Sequence, residues 1–472
     1  MKRFLRLMLG VCTAAAVLGA NAPAVRFGGV SLGTVSVYAA ETAVEVEGGN
    51  IYVDENGAVT RSDYTVTNAD IPEKAGDITI TSIGKNAFAG HSTLKSVSLP
   101  KTVVSIGSQA FAACSALESI TMQEGLTTIY SSAFVSCSAL KSIYIPASVR
   151  SIESAVFESC TSLENIDIAD GNGWYIDIDG VLYDAEETVL ILCPAKKESI
   201  TIPETVTSIE DNAFKNCSLI EKIEFPAGLT SIGAYAFKQC TALKSINIPD
   251  TVTSIGTQAF YNCKSIESIT IPSGITEISN FAFYGCASIT SIEIPNGVTT
   301  VGNNAFQNCA YLKSVVIPNT VVTIGNSAFA NTWLTEVVIP SSVTTLRNSV
   351  FSNCTYLTGI VVPDSVTSMG TNIFTNCSQL KAKCYAGSYA ETYFINNKIK
   401  YSYIVFGDVD GDGALTYNDA KLILHYAADK NFKLPAAADM DSDGDGEITV
   451  MDPIHIMRYL EDQRYIMPVF KK

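Results

Sequence analysis

From residue 78 to residue 377 the apolar positions of the chain repeat at a fixed spacing. Phenylalanine stands at 88, 111, 134 and 157, then at 214, 237, 260, 283, 306, 329, 351 and 374. The steps are of 23 residues, apart from one of 57 and one of 22. Each unit reads L-x-x-I-x-I-P-x-x-V-T-S-I-G-x-x-A-F-x-x-C, and Leu243, Ile246, Ile248, Pro249, Val252, Ile255, Gly256, Ala259, Phe260 and Cys263 show it in full. The L-x-x-I-x-I segment alternates apolar and polar positions and is rich in β-branched residues, which predicts one short parallel strand per unit. Proline ends the strand because it has no N–H for the ladder. The glycine after Ile255 and its equivalents predicts a turn. A unit this short cannot bury its own apolar residues, so neighbours must stack into a solenoid with the phenylalanines piled inside it.

The irregular stretches have their own readings. The 57-residue step holds two units plus eleven residues, and its Trp174–Tyr183 segment alternates around Asp179-Gly180, which predicts a β-hairpin insertion near 170–195. There Trp174, Tyr175 and Tyr183 either form a binding platform or pack the hairpin onto the array. Residues 41–77, with Ile51-Tyr52-Val53 and an Asn56-Gly57 turn, predict an N-terminal cap, and residues 378–403 a C-terminal one. Residues 1–40 predict a secretion signal: Lys2, Arg3 and Arg6 precede the apolar run Leu7–Leu18, with small residues at Ala39-Ala40.

Of thirteen cysteines, ten (114, 137, 160, 217, 240, 263, 286, 309, 354 and 377) stand three residues after a repeat phenylalanine, where His91 and Thr332 also occur. A column shared by Cys, Thr and His predicts a small buried side chain rather than a disulfide framework. The net charge of −16 excludes a nucleic-acid footprint.

After Tyr403 the composition turns acidic. Two segments follow D-x-D-x-D-G-x-φ-x-x-x-D: Asp408, Asp410, Asp412, Gly413, Leu415, Asp419, then Asp441, Asp443, Asp445, Gly446, Ile448, Asp452. Calcium takes about seven oxygens, and this spacing brings carboxylates 1, 3, 5 and 12 around one point. The position-7 carbonyls of Ala414 and Glu447 and the position-9 residues Thr416 and Thr449 complete two sites, so two Ca2+ ions are expected. An amphipathic helix is expected after each loop, over Lys421–Asp429 and Pro453–Glu461.

The repeats resemble the BspA-like leucine-rich-repeat family over roughly residues 70–400. That resemblance implies an α/β, mostly β, leucine-rich-repeat solenoid and an extracellular protein-interaction surface with no catalytic residues. The loop-plus-helix pair resembles a type I dockerin, a small all-α module, and implies residues 404–472 as a calcium-dependent dockerin whose partner is a cohesin domain on a scaffolding protein of a cellulosome-like assembly. It also implies partner contacts at loop positions 10 and 11 and on the following helix: Tyr417, Asn418, Leu424 and His425, then Val450, Met451, Met457 and Arg458.

Repeats, caps and one hairpin leave no room for a catalytic domain. The outward strand positions, such as Lys244, Ser245 and Asn247, lack the aromatics of a sugar platform. The position two before each proline is polar or Tyr from Ser98 to Glu293, then becomes Val316, Val338 and Val361. This predicts a partner site or reflects ordinary strand preference. The expected function is a secreted adaptor or adhesin that is not an enzyme, has no transmembrane segment, and is held at the cell surface through a scaffold. The other reading is a structural spacer without a ligand.

Overall fold

Every coil is built from two short strands and one tight turn, and each recurs at the same residues of the repeat. In the computed structural model, which describes residues 26–27, 30–31, 41–404, 407–409, 415–429 and 448–461, the chain divides into two units, 1–197 and 198–472. The predicted signal lies outside the described residues apart from the paired strands Arg26–Phe27 and Val30–Ser31. Both units are mostly β and wound as solenoids of about 23-residue repeats.

The strand expected from L-x-x-I-x-I forms in both units. Ser96–Ser98 pairs in parallel with Ser119–Thr121, and Ser245–Asn247 with Ser268–Thr270, each residue facing the one 23 places on. Its central isoleucine points inward and its neighbours outward, as in Ser245–Asn247. The second strand is only two residues long, and Ser231–Ile232 pairs in parallel with Ser254–Ile255.

Between second strand and phenylalanine the structure departs from expectation. Gly256 was expected to make the turn, yet its φ is not left-handed; a Cβ there would lie 2.4 Å from Ala234 N in the coil before. The glycine lets two coils approach. The left-handed residues stand two before and two after the phenylalanine: Gln258 (φ 58°) and Asn262 (φ 58°) in one coil, Asn304 (φ 58°) and Asn308 (φ 62°) in another. Asparagine tolerates this conformation better than most residues. Phe237 N donates to Ala259 O (2.7 Å) and Gln239 N to Tyr261 O (2.8 Å), so the turns also form a ladder between coils.

The phenylalanine rings stack in parallel along each unit. Centroids are 5.1–5.6 Å apart from Phe88 to Phe157, and 5.2 Å apart between Phe237 and Phe260, with an interplanar angle of 3°. The cysteine beside each ring is buried, and among the described residues all cysteines are free thiols. Cys263 Sγ donates to Phe237 O (2.9 Å) and Cys137 Sγ to Phe111 O (3.1 Å), so the column supplies one donor per coil to the phenylalanine carbonyl of the coil before. The exceptions find other partners. Thr332 turns to the carbonyl of its own coil, its Oγ1 donating to Phe329 O (2.8 Å). In the first coil, where no earlier phenylalanine carbonyl exists, buried His91 instead meets Ser62 Oγ through Nε2 (2.9 Å) under the ring of Tyr64. Burial pushes the Cys114 and Cys309 thiols up to about 12.

Exposed coil ends are covered. Thr42–Val46, Gly49–Val53 and Ala58–Ser62 form an antiparallel meander whose last strand pairs in parallel with Ser82–Ile83. At the other end helix α1 (Tyr389–Asn396) starts at its N-cap Ser388 and buries Ala390, Tyr393 and Phe394. Phe394 lies 6.1 Å from Phe374, the last ring of its stack. The insertion has three strands rather than two: Tyr175–Ile178 and Val181–Asp184 make the hairpin, and Val189–Leu192 adds to it. Its aromatics part company, with Tyr183 in the core, Tyr175 bonded through its hydroxyl to Ile152 N (2.9 Å) and Trp174 exposed. They make no shared platform.

Two measurements check this packing. Phe260→Ala is expected to cost about 3–5 kcal/mol in urea unfolding, whereas Thr270→Ala, on an outward strand position, changes stability by less than about 0.5 kcal/mol. The described cysteines are expected to resist iodoacetamide at pH 8 in the folded protein and to react once it is unfolded; rapid modification of the folded chain would contradict the buried thiol column.

Candidate functional site

Two regions carry chemistry beyond the coil consensus, both within the second unit. The first is the loop-plus-helix pair after Tyr403. Helix α2 (Tyr417–Ala428) begins at loop position 10 rather than at Lys421, and α3 (Met451–Glu461) begins before Pro453. The earlier start has a local cause. Thr416 caps α2, and Asp419 reaches back in a capping box, its Oδ2 accepting from Thr416 N (2.8 Å) and Thr416 Oγ1 (2.8 Å). Thirty-three residues later Asp452 Oδ2 accepts from Thr449 N (2.7 Å), and Thr449 Oγ1 accepts from Met451 N (3.1 Å). The two corners are built alike.

Both position-12 aspartates are fully buried, and Asp408 at position 1 is nearly so. Val409 N donates to Asp419 Oδ1 (2.8 Å), which ties position 12 of the first loop back to position 2. Asp419 is held by three protein donors, Val409 N, Thr416 N and Thr416 Oγ1, and among the described residues no three His, Cys, Asp or Glu side chains come together as a metal site. Asp410, Asp412, Ala414, Asp441, Asp443, Asp445 and Glu447 lie outside the described residues. Val409, Ala420, Ile423 and Ile456 form the module's small core. Gly407 (φ 78°) sits against it, where a Cβ would be 2.8 Å from Ile456 Cδ1.

The expected partner residues fall into two groups. Tyr417, Asn418, Leu424, His425, Val450, Met451 and Arg458 are exposed, whereas Met457 is half-buried and packs on the small core. Four of the exposed ones, Tyr417, Leu424, Val450 and Met451, are large and apolar.

The second region is the outward face of the strands Ser314–Val316, Glu336–Val338 and Gly359–Val362. Val316 and Val338 are exposed there, as the sequence implied. Sequence reasoning missed a second column three residues before the same strands. The residue before the consensus leucine or isoleucine is Leu219, Ala242, Ser265 and Ser288, and then Tyr311, Trp333 and Tyr356. Tyr311 and Trp333 meet edge to face at 4.7 Å, and Trp333 and Tyr356 lie 5.2 Å apart at 56°. Reading the repeats column by column would have found them.

A family model described as BspA type leucine rich repeat region matches residues 62–174, 193–311 and 276–399, in six copies. A leucine-rich repeat protein of known structure from Eubacterium ventriosum is 25% identical, with a TM-score of 0.51, over 66% of this chain and 93% of that one. One from Bacteroides ovatus is 25% identical, with a TM-score of 0.38, over 74% of this chain and 70% of that one. A leucine rich cell surface protein from Faecalibacterium prausnitzii is 24% identical, with a TM-score of 0.34, over 76% of this chain and 97% of that one. No curated protein matches the chain. Among the described residues no helix is long and apolar enough to cross a membrane.

Thr416→Ala and Thr449→Ala each remove a cap contact worth about 1 kcal/mol. Amide exchange in α2 and α3 respectively is therefore expected to quicken about fivefold, with amides of Ser245–Asn247 unchanged.

Proposed function

Because the chain belongs to the BspA type leucine-rich-repeat family, we propose that it is a secreted, non-catalytic adaptor whose repeats bind a protein or surface ligand and whose C-terminal module docks it onto a partner. The partner proposed is a cohesin domain of an extracellular scaffolding protein, and docking depends on two calcium ions. The observation that carries the docking reading is the corner repeated 33 residues apart, in which a buried position-12 aspartate accepts the N–H of the threonine that precedes the helix.

In this reading Asp408, Asp410, Asp412, the carbonyl of Ala414, Thr416 and Asp419 hold one ion, and Asp441, Asp443, Asp445, the carbonyl of Glu447, Thr449 and Asp452 the other. When bound, calcium supplies the positive charge that lets four carboxylates share each loop. The chain's own residues do the rest. Asp419 and Asp452 tie each loop to the first turn of its helix, and that turn presents Tyr417, Asn418, Val450 and Met451 outward. Tyr417, Val450 and Met451 give docking a hydrophobic centre. The two halves differ at these positions, Tyr-Asn against Val-Met, so they offer a partner two unlike surfaces.

The test is calorimetric titration of calcium into the full chain, followed by a panel of cohesins, with amide exchange recorded before and after chelation. Two ions are expected to bind, and chelator to deprotect 417–428 and 451–461 while the repeat strands stay protected. Asp419→Ala or Asp452→Ala is expected to weaken calcium binding at least about tenfold, or about 1.4 kcal/mol. Amide exchange in α2 and α3 that is indifferent to chelator would overturn the reading.

A further inference from the structure

On the second strands of the second unit the repeat leaves a groove of about 390 Å³. Ser208, Ser231 and Ser254 stand in register along it, and Gly233 and Gly256 leave its floor as bare backbone. Close approach of the coils fixes both glycines, since a Cβ on Gly233 would lie 2.6 Å from Asp211 N and one on Gly256 2.4 Å from Ala234 N. The floor is therefore a rigid consequence of the fold. Carboxylates stand at both ends of it. Glu210 precedes Gly233 in the glycine column, with Asp211 next to it, and Glu277 follows Ser254 in the serine column. All three are exposed, and Asp211 Oδ1 accepts from Ala234 N (2.6 Å). The three serine hydroxyls make no hydrogen bond among the described residues.

The charge around the groove has one sign. Residues 203–211, 226–234, 249–257 and 272–280, which carry these strands and their flanking turns, include Glu204, Glu210, Asp211, Asp250 and Glu277 but no lysine, arginine or histidine. None of these five carboxylates is in an ion pair among the described residues. The lysines of the same coils belong to other elements. Lys222 and Lys244 pair with Glu224 and Glu221 by the first strands, Lys215 and Lys238 stand over tyrosine rings after the phenylalanines, and Lys264 follows Cys263.

The separation of the carboxylates decides the ligand. Glu277 lies three coils from Ser208, about 14 Å at the spacing of neighbouring strands, so the two ends cannot share one metal ion. They suit two cations on one elongated molecule. Residues four apart on an extended chain are also about 14 Å apart, and they point to one side of it. The free serine hydroxyls between the ends can bond peptide groups, which the stem of a simple polyamine lacks. No aromatic side chain lines the groove for a sugar ring.

We infer that this groove, from Glu210 to Glu277, docks an extended segment of a partner protein that carries Lys or Arg at two positions four residues apart. The inference rests on the reading of the repeats as a binding surface, and names a place on it and the partner's chemistry. Attraction between exposed charges here sets orientation and on-rate more than affinity.

The test is fluorescence anisotropy on the full-length protein, with labelled serine-alanine peptides carrying two arginines either four residues apart or adjacent. The spaced peptide is expected to bind about two- to fivefold tighter, because the adjacent pair meets one end only. Glu210→Gln and Glu277→Gln are each expected to weaken it by a similar factor, and Ser231→Lys, which puts a cation in the groove, by at least about tenfold. Glu267→Gln, before a first strand, is expected to change nothing. The two glutamine variants lie at exposed ends, so they keep the test open if Ser231→Lys fails to fold. Binding that ignores the spacing, or that falls as much with Glu267→Gln, is general attraction to an acidic protein and overturns the inference. Spermine binding as tightly as the spaced peptide overturns it too, since the peptide groups then count for nothing. If neither peptide binds, selection of a random displayed library on the same protein separates two failures. Enriched peptides that ignore Ser231→Lys sink this inference and leave the reading of the repeats standing, whereas enrichment of none sinks both.

Discussion

The structure depends on one constraint, that each residue of a coil lies beside the residue 23 places on. Backbone ladders of two short strands and a turn enforce it, and the phenylalanine stack fills the interior they leave. A two-residue strand such as Ser254–Ile255 contributes little alone. Its worth comes from repetition, because each coil supplies both the partner and the buried face of the next. The cysteine column belongs to the same scheme: where a thiol stands three residues after a ring, as at Cys240, Cys263 and Cys286, it reaches the carbonyl of the ring before it. Oxidising two such thiols to a disulfide would take that donor from two carbonyls at once.

Because the interior is fixed by register, the outward positions are free to vary without cost to the fold. Serine, lysine, glutamate and asparagine occupy most of them, and the change to aromatic residues and valine in coils 311–361 is possible for the same reason. The C-terminal module follows different physics. Among the described residues its buried core is Val409, Ala420, Ile423 and Ile456, with Leu415, Leu422 and Ile448 partly buried against it. Its stability in the proposed reading comes from ions held by carboxylates that would otherwise repel. One part of the chain is specified by apolar periodicity and the other by acidic spacing.

The periodicity made the solenoid legible, because burial at Leu243, Ile246, Ile248, Phe260 and Cys263 is dictated by one repeated environment. The left-handed residues two places either side of each ring were not legible. Those positions carry Asn, Gln, Ser, Ala, Gly, Tyr or Phe, and only the ladder between coils forces their backbone. Glycine misled for a related reason, since Gly256 serves close approach rather than a left-handed turn. The early helix start at Tyr417 was written in the Thr416–Asp419 capping box, a local signal outweighed by the loop motif around it. The 22-residue step gave no hint that its shortened turn carries Trp333 between Tyr311 and Tyr356, since that grouping is a property of neighbouring coils.

The most direct test of the stacking rule is to delete residues 246–268, one full period, and compare cooperative urea unfolding with that of a variant lacking only 246–257. The full-period deletion joins Ser245 to Ile269 and brings Phe237 next to Phe283 in the same register. It is expected to unfold as cooperatively as the parent, while the half-period deletion, which takes both strands of one coil out of register with the next, is expected to lower and broaden the transition of its unit. Equal damage from both deletions would contradict the account.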